Sequence, residues 1–286
     1  FKAYDVRGLY PSEVNEEGAR AIGAAFVAYL QAKRIAVGRD MRLSSPALAA
    51  AFIDGATAQG ADVVDYGMVS TDMLYFAVAS DGHDGGVQIT ASHNPKEYNG
   101  LKMVRREAFP LSGDAGISDI RDMIAEDRLP PPAGRRGAVT AKDVLAPYVA
   151  HVMGFIDPSI VRPFNVVLDA GSGMAGLVAP KLFEQLPCRA TKLCFEIDGR
   201  FPNHEANRHD NTARKTRQRP AFCGVFSLET HFRRHDVFTS EIETPLTRRR
   251  GLNDRQSLQP VFFCSTNKAF VRPRQALRNF ACLARD

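Results

Sequence analysis

Ile35-Ala36-Val37-Gly38-Arg39-Asp40-Met41-Arg42-Leu43-Ser44-Ser45-Pro46 decides the fold class of this chain. Ile35-Ala36-Val37 is a short apolar run of the kind that forms a buried strand, and Gly38-Arg39-Asp40 ends it. Ser45 followed by Pro46 predicts a helix N-cap with proline at the first helical position. That helix runs to about Gln59 and stops at Gly60, and Val63-Val64 resumes a strand. Strand, helix and strand within thirty residues is the repeating unit of an α/β sheet.

The alternation extends both ways. Upstream, Asn15 N-caps a helix whose first turn carries Glu16 and Glu17, acids that suit the positive end of the dipole. Ala19, Ile22, Phe26 and Leu30 then recur at helical spacing. Downstream, Thr71 to Ala79 predicts a short helix and Gly86 to Thr90 a strand. A loop, a strand at Leu101-Lys102-Met103-Val104 and a polar helix from Ser112 to Asp127 follow. Pro130-Pro131-Pro132-Ala133-Gly134 cannot continue a helix and predicts a linker. A second unit then begins, with a helix from Ala141 to about Ile156. Asn165-Val166-Val167-Leu168-Asp169 predicts a strand leading into the loop Ala170 to Gly176. A helix to Leu186 and a strand around Lys192 to Ile197 complete a βαβ.

After Asn207 the chain changes character. The 286 residues carry 37 Lys+Arg and 32 Asp+Glu, a net +5. Residues 208–286 hold 14 Arg and 2 Lys against 7 acids, a net +9, which leaves residues 1–207 at −4. Only two of the 22 glycines, Gly224 and Gly251, fall in the later stretch, and Val261-Phe262-Phe263 is its best strand candidate. Propensity, pattern and turn chemistry disagree there. The net positive charge therefore speaks weakly for a nucleic-acid partner, and none is expected. No run of about 18 apolar residues predicts a membrane span. The five cysteines form no C-x-x-C pair, which argues against a disulfide framework or zinc finger and for a reduced, cytoplasmic protein.

Chemistry-bearing residues concentrate in three places. Thr90-Ala91-Ser92-His93-Asn94-Pro95 presents a serine on a loop between two strands. His93 beside it can exchange a proton with a phosphate or hydroxyl oxygen, and Asn94-Pro95 stiffens the turn. The plain alternative is a polar turn in which Ser92 bonds backbone. Tyr4 and Arg7 in the opening octet, and Lys102 beyond the serine loop, offer a phenol and cations suited to phosphate; the plain alternative is surface solvation. Gly171, Gly173 and Gly176 satisfy G-x-G-x-x-G after a strand, with Glu196 or Asp198 as ribose partner, but a tight strand-to-helix turn explains them as well. His83, His151 and His204 are not at ligand spacing with one another or with the cysteines, so no metal site is expected from them.

Phe1-Lys2-Ala3-Tyr4-Asp5-Val6-Arg7-Gly8, Thr90 to Pro95, Tyr98-Asn99-Gly100-Leu101-Lys102 and Val167 to Gly176 together resemble the α-D-phosphohexomutases, most closely the bacterial phosphomannomutase/phosphoglucomutase group. The resemblance runs from residue 1 to about 207, ending in Phe201-Pro202-Asn203-His204-Glu205-Ala206-Asn207. It implies a mixed α/β domain over 1–134 with the catalytic serine loop, a truncated second α/β domain over 135–207, and an irregular Arg-rich tail over 208–286. It also implies that Ser92 is phosphorylated, exchanges phosphate with a hexose phosphate through a bisphosphate, and supplies one ligand to Mg²⁺. His93, Tyr4, Arg7 and Lys102 would then bind substrate or assist proton transfer.

The family's D-G-D-x-D-R metal loop, its G-E-x-S-G sugar loop and its last phosphate-binding loop are absent from the sequence. The abrupt change near Asn207 suggests a reading-frame shift, testable by translating the encoding DNA in the other two frames. Two other functions fit the sequence less well. One is a non-enzymatic α/β binding module whose basic tail contacts RNA or an acidic partner. The other is a nucleotide-dependent oxidoreductase using the Gly171 loop.

Overall fold

The computed structural model describes residues 1–204 and the backbone of Val225–Ser227, all within one compact unit, Phe1–Leu228. The expectations for 208–286, including the basic tail and the Val261–Phe263 strand, otherwise lie outside the described residues. The elements in chain order are β1 (Val6–Leu9), α1 (Glu16–Leu30), β2 (Arg34–Arg39), α2 (Ser45–Ala58), β3 (Asp62–Met68), α3 (Thr71–Ser80), β4 (Gly85–Ile89), β5 (Tyr98–Arg105), β6 (Phe109–Pro110), α4 (Ile117–Ala125), β7 (Val139–Ala141), α5 (Leu145–Met153), β8 (Asn165–Asp169), α6 (Ala175–Phe183), β9 (Arg189–Leu193) and β10 (Val225–Ser227). The expected mixed α/β architecture is present.

Seven strands form the first sheet, in order β1-β5-β4-β2-β3-β7 with β6 on β5. The β4, β2, β3 and β7 neighbours are parallel, and β5 runs antiparallel to β4, β1 and β6. Strand alternation sorts the side chains into two layers. Ile35, Val37, Val63, Val87, Ile89, Leu101 and Met103 meet α1 and α2 on one face. Ala36, Val64, Tyr66 and Val104 meet α3 on the other, where Leu145, Tyr148 and Val178 from α5 and α6 join them. The second sheet is β10-β8-β9, all parallel, with α6 as the β8-to-β9 crossover.

Helix α1 starts as expected: the Asn15 side chain accepts from the Gly18 N–H at 2.9 Å. It crosses α2 at two glycines. A methyl on Gly23 would lie 2.2 Å from the Phe52 carbonyl oxygen, and one on Gly55 only 2.0 Å from that of Arg20. Glycine therefore sets how close these two backbones come.

Several boundaries differ from expectation. Ser45 is the first residue of α2, not its cap; Ser44 precedes it without a capping bond. The Ser45 hydroxyl instead donates to Asp40 Oδ1 at 2.6 Å and accepts from Asn99. Helix α4 begins at Ile117 rather than Ser112, because Gly116 sits at φ 111°, incompatible with a helix, and Ser112 closes a turn with Ala115. The helix expected from Ala141 starts at Leu145, since Val139–Ala141 pairs with Val63–Asp65 on the first sheet. Strand β9 ends early, where Cys194 turns to φ 51°.

Candidate active site

The serine loop leaves β4 and is built from beneath by β2 and its following turn. Asp40, just past β2, is its foundation. Its Oδ1 accepts from the Ser45 hydroxyl and the Arg42 N–H, and its Oδ2 accepts from the Thr90 hydroxyl at 2.7 Å. Thr90 Oγ1 in turn accepts from the Ser92 N–H at 3.0 Å. This chain of bonds holds Ser92 at φ 55°, a left-handed conformation that serine adopts only when its surroundings impose it.

Arg42 clamps the rest of the loop. Its side chain is fully shielded from solvent, yet its guanidinium donates to four carbonyl oxygens: Pro95 at 2.7 Å, Tyr98 at 3.0 Å, Ser92 at 3.0 Å and Asn94 at 2.6 Å. Asp40 Oδ2 lies 3.3 Å from Arg42 Nε and balances the charge. A buried cation is tolerated where its donors are matched in this way, and the planar fork of arginine suits two pairs of acceptors. The Phe201 ring covers the guanidinium at 5.4 Å, so the loop after β9 also touches this clamp. Asn99, fully buried at the start of β5, donates to both Ser44 and Ser45 and ties the loop's far end to α2.

On this support Ser92 stays partly accessible, and its Oγ lies 3.3 Å from His93 Nδ1. Arg7 and Lys102 meet elsewhere on the same three strands. Arg7 is opposite Gly100, whose carbonyl accepts from the Thr90 N–H, so Arg7, Gly100 and Thr90 form one row across β1, β5 and the end of β4. At a strand spacing of about 4.8 Å, Arg7 Cα is roughly 10 Å from the first residue of the serine loop.

Asp5 joins the two cations: its Oδ2 is 2.6 Å from Arg7 and 3.7 Å from Lys102 Nζ. Burial lowers the Lys102 pKa, and Asp5 opposes that fall. Arg7 Nε is buried with no partner among the described residues, a donor still to be used. Tyr4 is 62% exposed. The structure thus pairs Ser92 with His93 and Arg7 with Lys102.

Sequence reading did not single out Asp40, Arg42, Asn99 or Asp5. The signal was the polar run Asp40-x-Arg42-x-Ser44-Ser45 directly after a buried strand, where solvent-facing residues alone would need no such density of short polar groups.

The glycine loop after β8 is a tight turn. The Gly171 N–H goes to Asp169 Oδ1, that of Ser172 to the Cys194 carbonyl, that of Gly173 to Ala170 and that of Gly176 to Gly173. These four amides are bonded within the protein and are not turned toward a pyrophosphate. His83 is buried against Tyr66, and His151 stacks on Phe76 at 4.7 Å. His204 departs from expectation. The fold brings it to Asp169 and Cys194, so a set of potential metal ligands exists that spacing along the chain did not reveal.

The implied Mg²⁺ does not fit the residues around Ser92. Among the described residues, no three metal-ligating side chains gather there, and the nearest buried carboxylate, Asp40, is already engaged by Ser45, Thr90 and Arg42. Magnesium is held by carboxylates with room for its waters.

The fold agrees with the comparisons to known proteins. The family described as phosphoglucomutase/phosphomannomutase, alpha/beta/alpha domain I, matches residues 1–130. A phosphomannomutase of Escherichia coli is 39% identical over 254 residues, covering 84% of this chain and 55% of that protein. A phosphoglucomutase of Neisseria meningitidis serogroup B is 42% identical over 207 residues, covering 71% of this chain and 44% of that protein. The crystal structure of a phosphoglucomutase/phosphomannomutase family protein from Burkholderia thailandensis superposes with a TM-score of 0.64 at 40% identity, over 71% of this chain and 45% of that one. Residues 1–130 match domain I of the phosphoglucomutase/phosphomannomutase family, and the likeness to phosphomannomutases and phosphoglucomutases at about 40% identity extends beyond it. The chain spans about half the length of the curated relatives it matches. No helix among the described residues is long and apolar enough to cross a membrane.

Proposed function

We propose that Ser92 carries the phosphoryl group in a phosphohexomutase-type transfer between C1 and C6 of mannose or glucose phosphates. The observation that supports this best is Ser92 itself, held left-handed by Thr90 and Asp40, clamped through its carbonyl by Arg42, and facing His93. In the loading step a bond forms between Ser92 Oγ and phosphorus, and the phosphorus–oxygen bond to the sugar breaks. The Oγ proton passes to His93 Nδ1, and the departing sugar oxygen takes a proton in return. The phosphoserine then gives its phosphoryl group to the free hydroxyl of a hexose monophosphate, forming the bisphosphate, and Ser92 takes back the phosphate from the other carbon, which leaves the isomer. Phosphoryl transfer depends chiefly on positioning and charge compensation. Arg7 and Lys102 offer the cations, and Tyr4 an exposed phenol.

The division into 1–134, 135–207 and 208–286 belongs to the same proposal, with Val139–Ala141 reaching back to the first sheet. The sequence contains no aspartate loop, so this chain as written is expected to turn over poorly. Mass spectrometry of the chain after incubation with glucose 1,6-bisphosphate tests the serine. Phosphate on the Ser92 peptide, lost in Ser92→Ala, is expected; phosphate on another residue, or none, refutes the assignment. Robust turnover in a coupled glucose 1-phosphate assay would refute the expected inactivity.

A further inference from the structure

We propose that Asp169, Cys194 and His204 form a binding site for a thiophilic divalent ion, of which zinc is the representative. Asp169 is the last residue of β8 and Cys194 the first after β9. The parallel register pairs Asp169 with Leu193 at the carboxyl ends of adjacent strands, and Cys194, which leaves the strand at φ 51°, brings its thiol near the carboxylate. His204 lies in the segment that follows β9. One ligand atom from each residue lies within 4.8 Å of the other two, and all three residues are half-buried.

The distances fit a tetrahedral ion. Two ligands about 2.05 Å from zinc at the tetrahedral angle stand about 3.3 Å apart. His204 Nε2 and Asp169 Oδ1 are 3.4 Å apart. The carboxylate is already oriented by the Gly171 N–H at 2.9 Å, an outer contact of the kind that stiffens metal ligands. Gly171 also leaves room for the imidazole: a methyl there would lie 3.2 Å from His204 Cε1, and φ 56° disfavours any side chain.

Thiolate, imidazole and carboxylate together select zinc-like ions and disfavour magnesium. Three protein ligands leave the fourth position to water. A bound ion would tie the segment carrying His204 to β8 and β9, and the same segment carries Phe201 onto the Arg42 clamp.

Cobalt(II) titration of the full chain, stripped by chelator, tests the site. Cys188, Cys223, Cys264 and Cys282 are first replaced by Ser, so that Cys194 is the sole thiol. The expected result is one equivalent of cobalt with thiolate-to-metal charge-transfer absorption, displaced by zinc and not by magnesium. Adding Cys194→Ser should abolish that absorption. His204→Ala and Asp169→Asn should each weaken zinc binding more than about tenfold, the low end for changes around a metal centre. Circular dichroism with chelator present checks that each variant stays folded. No charge-transfer absorption in the parent, or its persistence after Cys194→Ser, overturns the proposal. So does zinc affinity unchanged in both His204→Ala and Asp169→Asn.

Discussion

Replacing Arg42 by lysine should loosen the serine loop while the strands beside it stay closed. The guanidinium reaches four carbonyl oxygens in two pairs, Pro95 with Tyr98 and Ser92 with Asn94. Lysine keeps the positive charge opposite Asp40, but its single ammonium cannot span both pairs. At least two of the four bonds are lost. Hydrogen bonds to a charged group contribute about 1.5 kcal/mol each at the low end, so the loop loses about 3 kcal/mol. A factor of ten in an opening equilibrium corresponds to about 1.4 kcal/mol, which makes the loop open roughly 100-fold more often. Hydrogen exchange followed by mass spectrometry reads this directly. The Ser92, Asn94 and Tyr98 amides, bonded to Thr90 Oγ1, Ala91 O and Pro95 O, should exchange faster by that factor. The β2 and β4 amides should change far less. Loop amides exchanging at the parent rate would refute the clamp, as would an equal rise in β2 and β4, because either outcome makes Arg42 ordinary core filling.

Three further outcomes follow from other parts of the fold. Gly55→Ala places a methyl 2.0 Å from the Arg20 carbonyl and must push α1 from α2; a loss of about 1–3 kcal/mol is expected in denaturant unfolding, and an unchanged midpoint would contradict the close approach. Asn15→Ala removes the bond to the Gly18 N–H and should cost about 1 kcal/mol in the same measurement. His83 is pushed down to about 4 by burial and then by the Arg34 charge, with Asp81 opposing. Its folded pKa lies below the ordinary 6.5, so its stabilising contribution is full above pH 6.5 and fades as pH falls toward 4. The total is at most about 3 kcal/mol. His83→Gln should flatten stability between pH 6.5 and 4, and an unaltered slope would show that His83 does not titrate on unfolding.

The neutral state of His83 follows from its neighbours. Tyr66 donates its hydroxyl hydrogen to Asp81, so the Tyr66 oxygen accepts from His83 Nε2–H at 2.9 Å. That leaves Nδ1 unprotonated and buried without a partner among the described residues. Protonating it would bury a second N–H with nothing to receive it.

Much of the first sheet was legible because its signals are local. Ile35-Ala36-Val37, the Asn15 cap and the stop at Gly60 depend on residues a few positions apart. The boundaries that moved were set from a distance. Val139–Ala141 became a strand because β3 offered an edge, and Ser45 gave up its cap role because Asp40 and Asn99 took its hydroxyl. The serine loop was visible as a motif, whereas its supports were not.

The sequence by itself determined the strand and helix periods, the family resemblance and the positions of Ser92, His93, Arg7 and Lys102. Only the tertiary structure decided which of them meet and what holds them. Asp5 lies 97 residues from Lys102, and Arg42 lies 50 or more from the carbonyls it clamps. Asp169, Cys194 and His204 converge only because two parallel strands end side by side and a later loop returns over them. Periodicity records which face a residue turns inward, but a hydrogen bond or a metal ligand set depends on distances that chain order does not encode.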